Sequence, residues 1–491
     1  MMNIDWLKSL DIRMAVAPPL DRSFQPAALV GRRFRRLAAM EGAIPLKLGL
    51  EKPDGTVSVY STSILPPHSP LAYLNAAYAE RILKFLLWQR GAWKVHVGGP
   101  SEIARHLGQQ YSDTGARRFD AQFMSNLYER PFTIAGCRPD DVVPARESAA
   151  ALGRHLDGCR VGFDLGASDR KASAVIDGQV VYSEEVPWSP RNAADPEYHF
   201  EHIMDSIRRA ASKMPRLDAV GGSAAGIYIN NRARDASLFR GIPRDIFEQK
   251  VSGLFLRIRD ELGVPLEVIN DGDVTALAGS MSLGKNPVLG IAMGSSEAAG
   301  YVDAAGSLTG WLNELAFAPV DYRPGGPVDE WSGDAGCGVQ YFSQQGAIRM
   351  AEAAGMTFAA GLGLPEKLAV LQERMKEGDP SAQQVYETIG ICLGYTVAHY
   401  ADFYDLRHIL VLGRVTTGAG GDAIVEQAGT VLKMEFPELA QQISIALPDE
   451  TSRRVGQSIA AASLPEITWS GNAATKKNLT AETRSTQRLK Y

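Results

Sequence analysis

The chain is poor in cysteine. Its 491 residues hold four, Cys137, Cys159, Cys337 and Cys392, and none forms a C-x-x-C pair. Such sparse use excludes a disulfide framework and suits a reducing compartment. It also lacks a charge excess, with 51 basic against 56 acidic side chains and a net charge of -5. No bulk pull toward nucleic acid or an anionic membrane follows from that balance. The opening Met1-Met2-Asn3-Ile4-Asp5-Trp6 lacks a basic segment followed by an apolar core, so no signal peptide is read there. No apolar run is long enough to span a bilayer. Asn478-Leu479-Thr480 is formally a glycosylation sequon, but without a secretion signal it carries no weight. These absences lead to the expectation of a soluble cytoplasmic protein. One local exception is Arg32-Arg33-Phe34-Arg35-Arg36. Such a run is usually a solvated face, and a phosphate-binding arm is the alternative.

What is present is ordinary globular composition, 45% hydrophobic and 22% charged. The length suggests two or three packed units. Residues 1–155 read as a mixed α+β extension, punctuated by Pro18-Pro19, Pro66-Pro67 and Gly98-Gly99-Pro100. Within it, 75–90 is predicted helical, with Ile82, Leu83, Leu86 and Leu87 on one face. Trp93–Val97 alternates like a strand, a helix opens at Ser101 with Ile103, Ala104 and Leu107 at core spacing, and 117–128 reads as a third helix.

The pattern changes near Arg160. A strand ending in Asp164 is followed by a strand over 171–176, the hairpin turn Asp177-Gly178 and a strand over 179–186. A helix follows at roughly 197–213. The same order recurs as a strand over 287–293, the small-residue turn Gly294-Ser295-Ser296, a strand over 297–302, a turn at 303–306 and a further strand. This is a repeat of architecture rather than of sequence. Between the copies lie a strand over 219–227 and another over 265–269 that ends at Asn270-Asp271. Residues 345–405 read as largely helical, a last strand over 408–412 runs into Gly413, and 471–491 reads as a disordered tail. The expected units are 1–155, a first lobe at 156–285 and a second at 286–470.

Four elements carry chemistry. Asp164-Leu165-Gly166-Ala167-Ser168-Asp169-Arg170-Lys171 follows a strand, and its small residues let backbone N–H groups approach a phosphate. An Asp there can hold Mg²⁺ through water. Gly294–Gly300 is the equivalent turn of the second copy, and two such turns facing each other across a cleft would hold a polyphosphate. Asn270-Asp271-Gly272-Asp273 stands between a strand and a helix, on the ligand edge of an α/β sheet, where a carboxylate could take the proton of an attacking hydroxyl. The plainer reading is a helix N-cap, and the two roles are compatible. Leu412-Gly413-Arg414-Val415-Thr416-Thr417-Gly418-Ala419-Gly420-Gly421 joins a strand to a helix, either as a simple connection or as a close pass under a base and ribose.

In this order the four elements resemble the ROK family of bacterial sugar kinases and sugar-responsive repressors, over roughly residues 158–465. The resemblance implies an α/β fold of duplicated actin/hexokinase-type (ribonuclease H-like) domains with an interdomain cleft. It implies an ATP-dependent sugar kinase acting on a hexose or hexose derivative, with Mg²⁺. Phosphate and metal binding fall on Asp164, Gly166, Ser168 and Lys171, with Mg²⁺ held through water at Asp164. The sugar falls on Asn270, Asp271 and Glu314, with Gly226 and Ser237 completing that side, and Asp271 is the catalytic base. The second phosphate turn falls on Gly294, Ser295 and Ser296, followed by Glu297, which would repel phosphate if it faced the cleft. Adenosine falls on Gly413, Gly418, Gly420 and Gly421.

The departures are specific. The family's zinc-binding His position is Phe317, and its Cys-rich segment aligns with Gly336-Cys337-Gly338-Val339-Gln340-Tyr341-Phe342-Ser343. The two remaining Cys positions are Glu330 and Ser332, so only Cys337 of four ligands is kept. Structural zinc needs four N/S ligands, so none is expected; packing from the N-terminal region, with Trp88 and Trp93, is the expected substitute. Val339 replaces a sugar-contacting Glu. The expected partners are a small-molecule sugar, ATP and a second copy of the chain in a homodimer, with no nucleic acid and no membrane. Two alternatives remain open. One is a DNA-binding regulator, because Ser101–Gly108 resembles the first helix of a helix-turn-helix within 79–110; against it, Phe119, Phe123, Met124 and Tyr128 sit at core spacing where a polar, basic face is required. The other is a non-catalytic sugar-binding relative.

Overall fold

Leu46, Leu48 and Leu50 are buried at every second position, the period that buries one face of a strand, with Lys47 and Glu51 half-buried and Gly49 covered as well. They belong to β1 (Ile44–Glu51), which pairs antiparallel with β2 (Val57–Ile64) across a Pro53-Asp54-Gly55 turn. In this computed structural model, which describes residues 9–147, 152–448 and 450–467, β3 (Lys94–Gly98) and β4 (Thr133–Cys137) complete a sheet of order β2-β1-β3-β4.

The helix Leu74–Arg90 is buried almost all round, charged residues included, and is not the one-faced helix its aliphatic residues predict. A helix with that burial is a central strut rather than a surface element. Helices Ser101–Gln110 and Arg118–Tyr128 form where expected. The second commits Phe119 and Phe123 to an aromatic cluster with Trp88 and Phe317, ring centroids 4.3–6.4 Å apart. The arginine run lies on the helix Ala27–Met40. Arg32 pairs with Glu438 at 2.8 Å and Arg35 with Asp402 at 2.7 Å, so these side chains fasten the N-terminal helix to the far end of the chain.

The two architectural copies are visible as two sheets. In the first, β5 (Cys159–Leu165), β6 (Asp169–Ile176) and β7 (Gln179–Pro187) form an antiparallel meander. Its second turn is Asp177-Gly178, both residues at positive φ. β8 (Ala219–Ala224) runs parallel to β5, and β11 (Leu266–Asn270) parallel to β8, giving the order β11-β8-β5-β6-β7. A small ribbon, β9 (Ile227–Ile229) with β10 (Arg232–Asp235), lies between them in the chain. In the second, β12 (Val288–Met293) and β13 (Glu297–Val302) form the hairpin, β14 (His408–Leu412) runs parallel to β12, and β15 (Ser444–Ala446) follows. A strand hairpin beside a parallel strand therefore occurs twice.

The third strand expected in the second copy is reduced to one bridge, Leu308 with Val302. The reason is competition for backbone donors. Asn313 N–H donates to Gln89 O and Glu314 N–H to Trp88 O, each at 2.9 Å, so the segment leaves the sheet for the C-terminal end of the buried helix. The helix Glu450–Ala462, within the expected second lobe of 286–470, packs instead on the first sheet. A Cβ at Gly162 would lie 1.9 Å from Ser458 O, and one at Gly221 1.7 Å from Ala461 O, so only glycine admits its backbone. The expected tail over 471–491 falls outside the described residues. Among the described residues no helix is long and apolar enough to cross a membrane.

Candidate active site

Because β5, β8 and β11 run parallel, their carboxyl ends share one edge, the edge where α/β sheets hold ligands. Asp164 stands opposite Ser223, whose hydroxyl donates to Asp164 Oδ1 at 2.6 Å. Burial raises the Asp164 pKa, and Ser223 and Lys171 oppose that rise. Asn270 closes β11 and caps the helix Asp271–Leu283. Its Oδ1 accepts from Gly272 N–H at 2.6 Å, and its Nδ2 donates to Gly226 O at 2.8 Å. Gly226 sits at φ 128°, and a Cβ there would be 2.5 Å from Asp235 O. That close approach brings the turn carrying Ser237 beside the Asn270 contact.

Asp271 is the first residue of the helix, roughly 10 Å from Asp164 by the spacing of two strands. Burial, and then the Asp164 charge, push its pKa up to about 6. Glu314 is held by its own N–H on Trp88 O and is pushed up to about 8, by burial first and then by Asp271, Asp235 and Asp273. Asp273 accepts from Asn313 Nδ2 at 3.1 Å and rises to about 7 through burial. The structure therefore brings Asn270, Asp271, Glu314 and Gly226 together at one edge, with Asp164 two strands away; Asn270 and Glu314 line the cavity there, and Ser237 is placed only by following Ala236, which Gly226 approaches.

Of the first phosphate turn, Ser168 is exposed and Lys171 lies 3.8 Å from Asp169 and 4.0 Å from Glu185. Gly166 N–H is engaged by Asp169 O at 2.9 Å. The second turn is open: Ser295 and Ser296 are exposed, and Gly294 N–H bonds Ser296 O at 2.9 Å. Glu297 does not face the cleft. It is 3% exposed, Tyr400 Oη lies 3.4 Å from its Oε1, and a Cβ on Gly338 would touch its Oε2. Burial pushes its pKa up to about 8, so it is mostly neutral at pH 7 and the expected repulsion of phosphate does not arise.

Glu297 carries a stability consequence. A carboxyl raised from 4.5 to about 8 takes up a proton on folding between those values, so it costs stability as pH rises from the lower to the higher. Glu297→Gln removes that slope. In urea denaturation the variant is expected to match the parent near pH 4 and to exceed it by on the order of 2–4 kcal/mol near pH 9. Equal pH dependence in both proteins would overturn the assignment.

The glycines of the β14 connection divide. A Cβ on Gly413 would lie 2.5 Å from Met293 O, on Gly420 2.4 Å from the Tyr386 ring, and on Gly421 2.1 Å from Thr416 O, so chain packing accounts for all three. Gly418, at φ 73° with open space around it, caps the helix Ala419–Glu435 and is free to approach a ligand. The Gly413 contact sets this stretch directly against the strand leading into Gly294.

At the degenerate zinc segment the four positions are apart in role. Phe317 stacks on Trp88, Glu330 Oε1 accepts from Gln345 at the surface, Ser332 donates to Asp329, and Cys337 is buried, its thiol pushed up to about 12 by burial. Beside Cys337 lies an ionic cluster. Asp334 faces Arg81 at 2.9 Å, Arg117 at 2.6 Å and Lys84 at 3.4 Å; Glu80 binds Arg81 and Arg117; and Asp120 accepts from Lys84 at 2.8 Å and Trp88 Nε1 at 2.7 Å. The N-terminal unit thus supplies both an aromatic wedge and a charge network to this loop. On its outer side, Arg240 lies over the Trp331 ring at 5.5 Å, joining the loop to the turn that carries Ser237.

Sequence reasoning missed Lys52. It stands in the β1–β2 turn, its Nζ donates to Gly310 O at 2.7 Å, and burial lowers its pKa to about 8. The signal was present in Pro53-Asp54-Gly55 between two alternating runs. Lys52, Asn270, Asp273 and Glu314 all line one cavity of about 730 Å³.

No family model and no curated protein matches the chain. Solved structures do. The chain is similar to a ROK hexokinase from Thermus thermophilus, at 20% identity over 62% of this chain and 96% of that one, with a TM-score of 0.50. It is similar to a ROK family glucokinase from Streptomyces griseus in complex with glucose and AMPPNP, at 20% identity over 62% and 98%, TM-score 0.45. A ROK family transcriptional regulator aligns at 17% identity over 63% and 78%, TM-score 0.49. With its two sheets, each a strand hairpin beside a parallel strand, and with the likeness to the Thermus enzyme, the chain has the mixed α/β actin/hexokinase-type fold of the ROK proteins.

Proposed function

We propose that the protein is an ATP-dependent sugar kinase of the ROK family, transferring the γ-phosphoryl of ATP to a hydroxyl of a hexose or hexose derivative. The observation that carries this reading is Asp271, a buried carboxyl at the carboxyl edge of the first sheet, perturbed by the charge of Asp164. Its pKa of about 6 leaves it mostly ionised at pH 7 and close enough to neutrality to take a proton efficiently. Asn270, Glu314, Gly226 and Ser237 hold the sugar. Asp271 accepts the hydroxyl proton as that oxygen forms its bond to the γ-phosphorus and the bond to the ADP oxygen breaks. Glu314, protonated at pH 7, is available as a donor to a sugar oxygen.

The residues fit the groups this requires. The charge of Asp164 raises the proton affinity of Asp271, the direction that a nearby cation would relieve. Asp164 would hold Mg²⁺ through water, as a metal that keeps most of its waters allows. When bound there, Mg²⁺ would supply positive charge against the phosphates. Gly166, Ser168, Lys171, Gly294, Ser295 and Ser296 would line the phosphates, and the stretch with Gly413, Gly418, Gly420 and Gly421 the adenosine, Gly418 being the glycine open to it and the other three shaping the stretch through packing. The proposal includes no structural zinc, units at 1–155, 156–285 and 286–470 with the helix Glu450–Ala462 returned to the second of these, a cytoplasmic setting and a homodimer. It is favoured over DNA binding because the apolar face of Arg118–Tyr128 is spent on Trp88 and Phe317.

A coupled ADP-release screen over hexoses, amino sugars and their 6-deoxy forms tests it. At least one sugar should raise ADP release well above the rate with ATP alone, and its 6-deoxy form should fail if O6 is the acceptor. No stimulation across the panel sinks the kinase.

A further inference from the structure

The cavity beside Asn270 and Glu314 does not end at a single-ring site. It runs outward along the edge strand β11 to Glu267 and Arg259, past Asn230 and Trp311. At about 730 Å³ it lies in the upper part of the range for drug-sized ligands, larger than one pyranose needs. Its outer wall belongs to the N-terminal unit, through Lys52, Asp54 and Thr56 of the β1–β2 turn and Tyr128 and Glu129 at the end of a helix.

Two ties hold that wall in place, one on each rim. Lys52 Nζ donates to Gly310 O on the second-lobe side, and Glu129 pairs with Arg234 of β10 on the first-lobe side. The trough is therefore a built channel rather than a gap between loosely packed units. Lys52 spends one donor on Gly310 and keeps two for a ligand.

The charge of the wall narrows the ligand. The acidic groups Asp54, Glu129, Glu147 and Glu267 outnumber Lys52, Arg234 and Arg259 in the lining, even with Asp273, pushed up to about 7, and Glu314, pushed up to about 8, left out of the count. With Glu147 paired to Arg90 at 3.6 Å and Glu129 to Arg234, the wall has no surplus of positive charge to draw in an anionic extension such as a phosphate or uronate. Trp311, its ring held by Tyr301 and Arg90, contributes apolar wall beside the hydrogen-bonding groups Lys52, Thr56, Tyr128 and Asn230. Those are the features that hold a hydroxylated ring.

We infer that the substrate is a neutral disaccharide or comparably extended glycoside, with one ring at Asn270 and Glu314 and the second in the trough against Lys52, Tyr128 and Trp311. This rests on the sugar-kinase reading and makes the N-terminal unit the part that sets substrate length.

Calorimetry on the full chain, with glucose, maltose, cellobiose, trehalose and glucuronate as probes and ADP release in parallel, tests it. At least one disaccharide should bind tenfold or more tighter than glucose, and glucuronate should bind no better than glucose. Lys52→Met should cut that ratio at least fivefold. Thr56→Trp, which fills the trough without removing a charge, should do the same and covers the case in which Lys52→Met fails to fold. A tighter disaccharide that releases no ADP supports the trough and removes the kinase. Glucose bound and phosphorylated while every disaccharide falls short of tenfold overturns the trough and leaves the kinase. No binding by any sugar overturns both.

Discussion

Asp271→Asn should lower kcat/KM by about 10²–10⁴-fold, the usual worth of a positioned general base. The substitution keeps the shape of the side chain and leaves the Asn270 cap on Gly272 in place, so thermal unfolding should shift little. The parent enzyme should lose activity as pH falls through about 6, where Asp271 takes up its proton. The sign follows from its role: the ionised form is the active one, so each unit below that pH costs about tenfold. In Asp271→Asn this limb should vanish together with most of the rate. A variant that keeps both full turnover and the acid limb would mean that another group removes the proton.

The second large effect concerns stability. Asp334→Ala leaves Arg81, Lys84 and Arg117 buried against Glu80 and Asp120 alone. Burial on its own would raise the Asp334 pKa, but Arg81, Lys84 and Arg117 hold it well below the ordinary carboxylate range. Removing one member of such a network costs on the order of 3–5 kcal/mol, because the cations stay desolvated without their partner. Urea denaturation should show a lower midpoint, and high salt should not mimic the effect, since screening reaches buried pairs poorly. A change under about 1 kcal/mol would show that water already enters the cluster and pairs it cheaply, as at an exposed salt bridge. The same cluster stands where the family resemblance puts a zinc loop. Elemental analysis of the purified chain should therefore find no stoichiometric zinc, and one zinc per chain would reject the substitution of packing for metal.

What could be read from the sequence was local. Asp177-Gly178 announced its hairpin because two successive residues at positive φ are a local property of those residue types. Asn270-Asp271 announced a strand end and a cap for the same reason. What escaped was set by partners distant in the chain. Leu308–Asn313 had the makings of a strand, and nothing nearby showed that the carbonyls of Trp88 and Gln89 would claim its amides. The burial of Glu80, Arg81 and Lys84 was not legible, because Asp334 and Arg117, which make it tolerable, come from elsewhere in the chain. Glu297 looked like a hazard to phosphate because its direction depends on the space left by Gly338. Lys52 was visible only as part of a turn, and its place in the cavity depends on the carbonyl of Gly310.

The two hydrogen bonds from Asn313 and Glu314 to the end of the helix Leu74–Arg90 have a consequence for how the molecule can be dissected. The region that resembles known kinases is not an autonomous module with an appendage in front of it. A cut before Gly158 would strip Glu314 of its backbone anchor, bare Phe317, and leave Asp334 without the cations that neutralise it. The upstream segment is made first on the ribosome, and the kinase-like part closes around it, so the two have to be inherited and engineered as one piece.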